Sequence, residues 1–179
     1  MTREATLIER LPTFDIGEEV VHGSDGVCSV VDISTINIEG VPPDRLYYIL
    51  RSKDHKDGLI YVPYEKGGNM MRPALDAKQA GELIASIPDI ELLPYTDDRS
   101  REQLYRKCIK SRDCRCIVSI IKTLYIRNRD RVATGRKASM LDERYLRQAE
   151  EILYAELSNA LGIPEEEMRE YIGGKIERS

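Results

Sequence analysis

The sequence predicts an α+β chain in two parts, a small antiparallel β-barrel followed by an all-α helical bundle. Three observations carry this expectation. Residues 14–31, Phe-Asp-Ile-Gly-Glu-Glu-Val-Val-His-Gly-Ser-Asp-Gly-Val-Cys-Ser-Val-Val, place branched Val20 and Val21 before the turn residues His22 to Gly26, and Val27, Val30 and Val31 after them, which describes a hairpin. Several short strand-like runs then follow with no helical spacing between them, the pattern of a small barrel. From Asp76 onward the apolar period changes to that of a helix and stays there.

Residues 1–13 read as a short polar arm, and residues 14–74 as the barrel. Asp32 to Ile38 alternates polar with apolar residues, extends the second strand and points Ile33, with Ile36 or Ile38, at a core. Glu39 to Asp44 is a loop, because Pro42 and Pro43 remove donors and Gly40 frees the backbone. Leu46 to Arg51 reads as a third strand, Leu59 to Pro63 as a fourth and Met70 to Arg72 as a short fifth, with the polar turn Ser52 to Gly58 between the third and fourth.

Residues 75–96 read as a short helix and linker, with an Asp cap, Leu83, Ile84 and Ile87 on one face and Pro88 as the stop. Residues 97–179 form the helical domain. Asp97 or Asp98 caps a helix carrying Leu104, Tyr105, Cys108 and Ile109, and Asp113 caps one carrying Ile117, Ile120, Ile121, Leu124 and Tyr125. Ala133 to Lys137 is a turn. Ser139 and Asp142 approximate a capping box for a long helix presenting Leu141, Tyr145, Ala149, Ile152, Leu153, Leu157, Ala160 and Leu161. Gly162 ends it, Pro164 opens a last helix, and Gly173-Gly174 is expected to close that one.

Charge narrows the partners. The 179 residues carry a net charge of −4, yet Arg99 to Lys137 holds thirteen Lys or Arg against three acids, which makes that segment +10 and the remainder −14. Such asymmetry points to two different partners. The bland reading is a solvated helix face, since Lys and Arg commonly lie outside. The functional reading is phosphate contact, which weakens steeply with salt; the imbalance favours DNA. With no run of eighteen apolar residues and no leader-like start, neither a membrane span nor a signal peptide is expected. A cytoplasmic location follows, and the four Cys are expected to remain thiols.

Catalytic and metal chemistry find little support. The two histidines, His22 and His55, fall in predicted turns with no nucleophile beside them. Cys108, Cys114 and Cys116 lack the paired spacing of a structural zinc site, so Cys108 reads as a buried stripe residue, Cys114 and Cys116 as ordinary thiols, and Cys28 as core. Gly67-Gly68 and Gly173-Gly174 have no phosphate-loop frame.

The order of these pieces resembles the CarD family of bacterial transcription regulators, over Phe14 to about Ile172. Phe14 to Val21 resembles the family's opening strand and Gly26-Val27 its glycine-led turn. Tyr47 to Leu50 and Leu59 to Pro63 are similar to its central strand pair, and Met71-Arg72 to the short strand that follows. Ser111-Arg112-Asp113 stands where the family has a Ser-Gly-Asp helix start, and Leu141 to Ala149 with Glu156-Leu157 resembles its long-helix signature. The resemblance implies a Tudor-like domain that docks on the β subunit of bacterial RNA polymerase, a module shared with transcription-repair coupling factors. It also implies a helical domain that touches promoter DNA at the upstream edge of the melted region and shifts the closed-to-open equilibrium by binding the open form better.

There are departures. Family members commonly insert a Trp from the first bundle helix as a minor-groove wedge; this chain has none, Asp98 or a neighbour takes its place, and Tyr95 is the candidate substitute aromatic. Ile36 and Tyr61 replace basic residues on the polymerase-facing strands, so that contact is expected to be more apolar. The expected sites are Ile36, Tyr48 and Tyr61 for polymerase, and Arg99, Arg101, Arg106, Lys107, Lys110 and Arg129 for promoter phosphates without base specificity. Neither catalytic residue, cofactor nor metal is expected. The competing reading is a protein-only polymerase adaptor that has lost DNA contact, consistent with the missing Trp; a thiol enzyme acting through Cys114 or Cys116 ranks third.

Overall fold

A computed structural model describes residues 13–53, 58–94 and 97–176. His55, Tyr95 and residues 1–12 of the expected arm lie outside the described residues. The chain divides into two compact units, Met1–Pro73 and Ala74–Ser179, the first an antiparallel sheet and the second helical, a two-domain α+β architecture.

In the first unit β1 (Glu19–His22), β2 (Gly26–Thr35), β3 (Leu46–Ser52), β4 (Ile60–Pro63) and β5 (Met71–Pro73) form one sheet in the order β4-β3-β2-β1-β5. Every ladder is antiparallel. The opening hairpin turns through a 3-10 turn at Gly23–Asp25, and Gly26 (φ 67°) supplies the left-handed backbone that returns the chain to β2. Asp25 steadies this corner, its carboxylate 2.9 Å from His22 Nδ1 and its carbonyl accepting from Ser52 Oγ at 3.1 Å.

The β2–β3 register slips between Val30 and Asp32, a bulge that re-phases the strand. Of the three candidates for its core face, Ile33 packs against the core, whereas Ile36 lies half-buried past the strand end and Ile38 is exposed.

Phe14, Val20, Cys28, Val30, Tyr48, Leu50, Val62 and Met71 make the core. Tyr48 is its centre: the Phe14 ring meets it edge-on at 6.0 Å, the Tyr64 ring stacks at 4.8 Å, and Phe14 N–H donates to its hydroxyl at 3.3 Å. Between β4 and β5, where no helical segment is expected, a 3-10 turn (Tyr64–Lys66) runs into the single turn α1 (Gly67–Met70). Gly67 sits directly on the Tyr48 ring, with no room for a Cβ.

The second unit packs α2 (Ala77–Ser86), α3 (Asp98–Ser111), α4 (Cys114–Ala133), α5 (Met140–Leu161) and α6 (Glu165–Ile176) around Leu83, Ile84, Tyr105, Ile117, Ile120, Leu124, Tyr145, Leu153, Leu157 and Met168. Asp76 and Asp97 cap α2 and α3 through reciprocal capping boxes, and Asp113 caps α4 by accepting from Arg115 N–H. Gly162, left-handed at φ 67°, ends α5.

Four expectations are corrected here. Tyr125, assigned to the buried stripe of α4, is 68% exposed. Ser139 precedes α5 but its side chain makes no capping bond, because Asp142 is drawn into the bundle by two arginines. Helix α6 runs through Gly173-Gly174 rather than stopping there, held by buried Met168 and by Tyr171 and Ile172 against the core. The thiols of Cys108 and Cys116 are joined as a disulfide, because the α3–α4 corner brings their Cα atoms to 5.3 Å.

Candidate functional site

Helix α3 presents Arg99, Gln103, Arg106, Lys107 and Lys110 along one solvent-facing side and buries Arg101, Tyr105 and Cys108 on the other. This follows from the 100° advance per residue, which puts 99, 103, 106, 107 and 110 within about a third of a turn. Arg99, Lys107 and Lys110 make no side-chain hydrogen bond or ion pair among the described residues.

Arg106 is exposed but engaged. Its Nη2 donates to Glu102 Oε1 at 2.7 Å and its Nε to the Tyr145 hydroxyl at 3.1 Å. The hydrogen bond from Arg106 holds the Glu102 carboxyl below its usual range, and the same bond raises the Arg106 guanidinium. A phosphate would have to displace one carboxylate.

Arg101 occupies the opposite side. It is 3% exposed, with Nη1 3.0 Å from Asp142, which is wholly buried. Arg127 Nε lies 2.9 Å from the same carboxylate, and Asp98 closes the set at 3.3 Å from Arg101 and 3.4 Å from Arg127. Two guanidiniums and two carboxylates thus bind α3, α4 and α5 together. The expectation that Arg101 meets DNA is corrected: its charge is spent inside the bundle, where a paired and hydrogen-bonded ion is the form that tolerates burial. Asp98 serves this cluster, its carboxylate shared between Arg101 and Arg127.

The remaining basic residues divide. Arg129 is exposed beside Asp130 at 3.2 Å. Lys122 caps carbonyls, donating to Ile87 and Pro88 at 2.8 and 3.0 Å. Arg115 donates to Ser86 Oγ, and Arg131 to the Lys137 carbonyl.

In the sheet unit, the register sets the other candidate surface. Ile49 of β3 pairs with Asp32 on one side and Tyr61 on the other, while the neighbouring Tyr48 pairs with Val62. Alternation puts Tyr47, Ile49, Tyr61 and Pro63 on one face and Tyr48, Leu50, Ile60 and Val62 on the other. Tyr61 is 40% exposed whereas Tyr48 is 1% exposed, so Tyr48 is corrected from docking residue to core. Leu46, Leu59 and Tyr64 are exposed apolar residues near that edge. Strand β4 is a sheet edge, with its outer backbone groups outside the ladder. Ile36 is half-buried just beyond β2.

Sequence reasoning missed the Asp98–Arg101–Asp142–Arg127 set and the disulfide. It also missed the burial of Glu156, an acid on the apolar stripe of α5 that is 2% exposed. This carboxylate accepts from Leu75 N–H at 3.0 Å and from the Cys114 thiol at 3.2 Å. Its signal was present: an acid between Leu153 and Leu157 at helical spacing needs buried donors.

Residues 14–75 match the family model described as CarD-like/TRCF RID domain, and residues 94–173 match that described as CarD, C-terminal domain. No curated protein matches the chain.

Proposed function

Because this chain belongs to the CarD-like family of RNA-polymerase-interacting transcription factors, we propose that it docks on the polymerase β subunit through the β4 edge and holds promoter DNA on helix α3. Tyr61 with Ile36 at the margin supplies apolar contact on the polymerase side, and β4 offers backbone groups for edge pairing. On the DNA side Arg99, Arg106, Lys107 and Lys110, with Arg129 on α4, contact phosphates without reading bases. The reading rests above all on the cationic side of α3, which the bundle leaves in solvent while consuming Arg101.

Such a factor acts on the closed-to-open equilibrium only through different affinities for the two forms. No bond needs to be made or broken, and none of the residues named is asked for catalysis. The missing wedge Trp implies that phosphate contact, rather than insertion between bases, carries the DNA affinity.

A second reading, the protein-only adaptor, draws on Arg106 and Arg129, whose charges are already answered by Glu102 and Asp130. Mobility-shift titration of the full chain on forked promoter DNA separates the two. Salt-sensitive binding supports the first; no binding at low salt, with β-subunit capture intact, supports the second.

A further inference from the structure

The Cys108–Cys116 disulfide ties the C-terminal half of α3 to the first turn of α4. Between the two cysteines the chain reverses at Arg112, left-handed at φ 59°, and restarts at the Asp113 cap. The other two cysteines are occupied differently. Cys28 is buried in the sheet core, and Cys114 donates its S–H to Glu156, itself buried. One pair in the helical unit is therefore set for dithiol–disulfide exchange.

We infer that Cys108 and Cys116 form a reversible redox site that governs how firmly α3 is held and so how well it grips DNA. This regulation rests on the reading of α3 as the DNA-contacting helix. A partner of RNA polymerase works where thiols are kept reduced, and disulfides in such compartments are transient rather than structural. Cys108 is buried and Cys116 half-buried, so Cys116 is the more accessible half of the pair and the one an incoming thiolate would attack.

The exchange balances with a dithiol reductant. Its thiolate bonds to Cys116 Sγ, the S–S bond breaks, and Cys108 leaves as a thiolate that takes up a proton. The reductant's second thiolate then attacks its own sulfur in the mixed disulfide, and Cys116 is released and protonated. Two electrons and two protons pass to the protein, and the reductant becomes a cyclic disulfide; a disulfide oxidant reverses the sequence.

Both states fit the core, because a buried thiol packs as a small apolar group. What differs is the constraint. At its N-terminal end α3 is held by Arg101 in the Asp142 cluster, and the disulfide holds the other end. Arg106, Lys107 and Lys110 all lie within a turn of Cys108, so loosening that end reaches the cationic side directly.

The test equilibrates the full chain in reduced or oxidised dithiothreitol. It then counts thiols by alkylation under denaturing conditions and mass, follows thermal unfolding, and titrates forked promoter DNA. The expected result is two alkylated thiols when oxidised and four when reduced, a fall in Tm of roughly 10 °C on reduction, and several-fold weaker DNA binding. Cys108→Ala and Cys116→Ala should each show three thiols in both states and match the reduced protein in Tm and DNA affinity, and Cys114→Ala should retain the response. Four thiols under oxidising conditions, or equal Tm and DNA affinity in both states, would overturn the inference. A Tm shift without DNA binding in either state would instead remove the DNA reading while the redox pair stands.

Discussion

Arg101 and Asp142 face each other 3.0 Å apart on α3 and α5, one 3% exposed and the other wholly buried. Their partners Arg127 and Asp98 make the set a joint between three helices. Breaking it by removing one member strands a charge. Asp142→Ala leaves the buried Arg101 and its neighbour Arg127 with only the exposed carboxylate of Asp98 and should cost about 3–5 kcal/mol, the magnitude for an orphaned buried ion. Urea unfolding monitored by circular dichroism checks this; a loss under about 1 kcal/mol would mean water reaches the joint.

Gly67 packs against the Tyr48 ring so closely that a Cβ must displace it, and Tyr48 is held between Phe14 and Tyr64. Gly67→Ala should therefore lower stability by about 1–3 kcal/mol, as over-packing does in a filled core. Gly68→Ala, one residue on, is the control. Chemical denaturation midpoints decide; equal loss at both positions would point to backbone freedom rather than the ring.

Glu102 titrates below the usual carboxylate range because Arg106 donates to it, with Tyr145 and Arg144 adding smaller contributions. A carboxyl depressed in the fold adds stability above its unfolded value and loses that addition as pH falls through the folded value. Arg106→Ala should move the Glu102 midpoint upward toward the ordinary range. Carbon-detected NMR titration of its side chain reads the shift, and an unmoved midpoint would assign the depression to Tyr145 and Arg144.

Tyr61 and Tyr48 sit on opposite faces of adjacent strands, which separates the proposed docking residue from the core. Tyr61→Glu should abolish capture of the polymerase β subunit and leave Tm within about 2 °C, as exposed substitutions do. Tyr48→Ala should lower stability by about 3–5 kcal/mol through the cavity it opens. Tm and pull-down of both variants test the division; capture surviving Tyr61→Glu would move the docking surface elsewhere.

The strands were legible because branched residues, turn glycines and period two agree from Glu19 to Ser52. The face of each tyrosine was not, since adjacent Tyr47 and Tyr48 look alike until the ladder fixes which one meets Val62. The helices announced themselves through Asp76, Asp97 and Asp113. Which arginine of α3 turns inward depended on a distant acid, Asp142, whose place beside Ser139 suggested a cap instead. The disulfide was hidden for a similar reason: spacing of eight residues says nothing until the left-handed Arg112 sets the corner. Composition gave the positive segment, but only packing shows that Arg101 and Arg127 neutralise acids while Lys107 and Lys110 remain in water.

Phosphate contact along the cationic side of α3 shows itself in the salt dependence of DNA binding. Affinity of the full chain for forked promoter DNA is measured across salt concentrations for the natural sequence and for Arg106→Ala with Lys107→Ala. Each phosphate contact contributes about 0.9 to the slope of log affinity on log salt. The expected slope is shallower by roughly 2 in the double variant, with binding weakened alike on unrelated sequences. An unchanged slope, with Tm preserved, would contradict it.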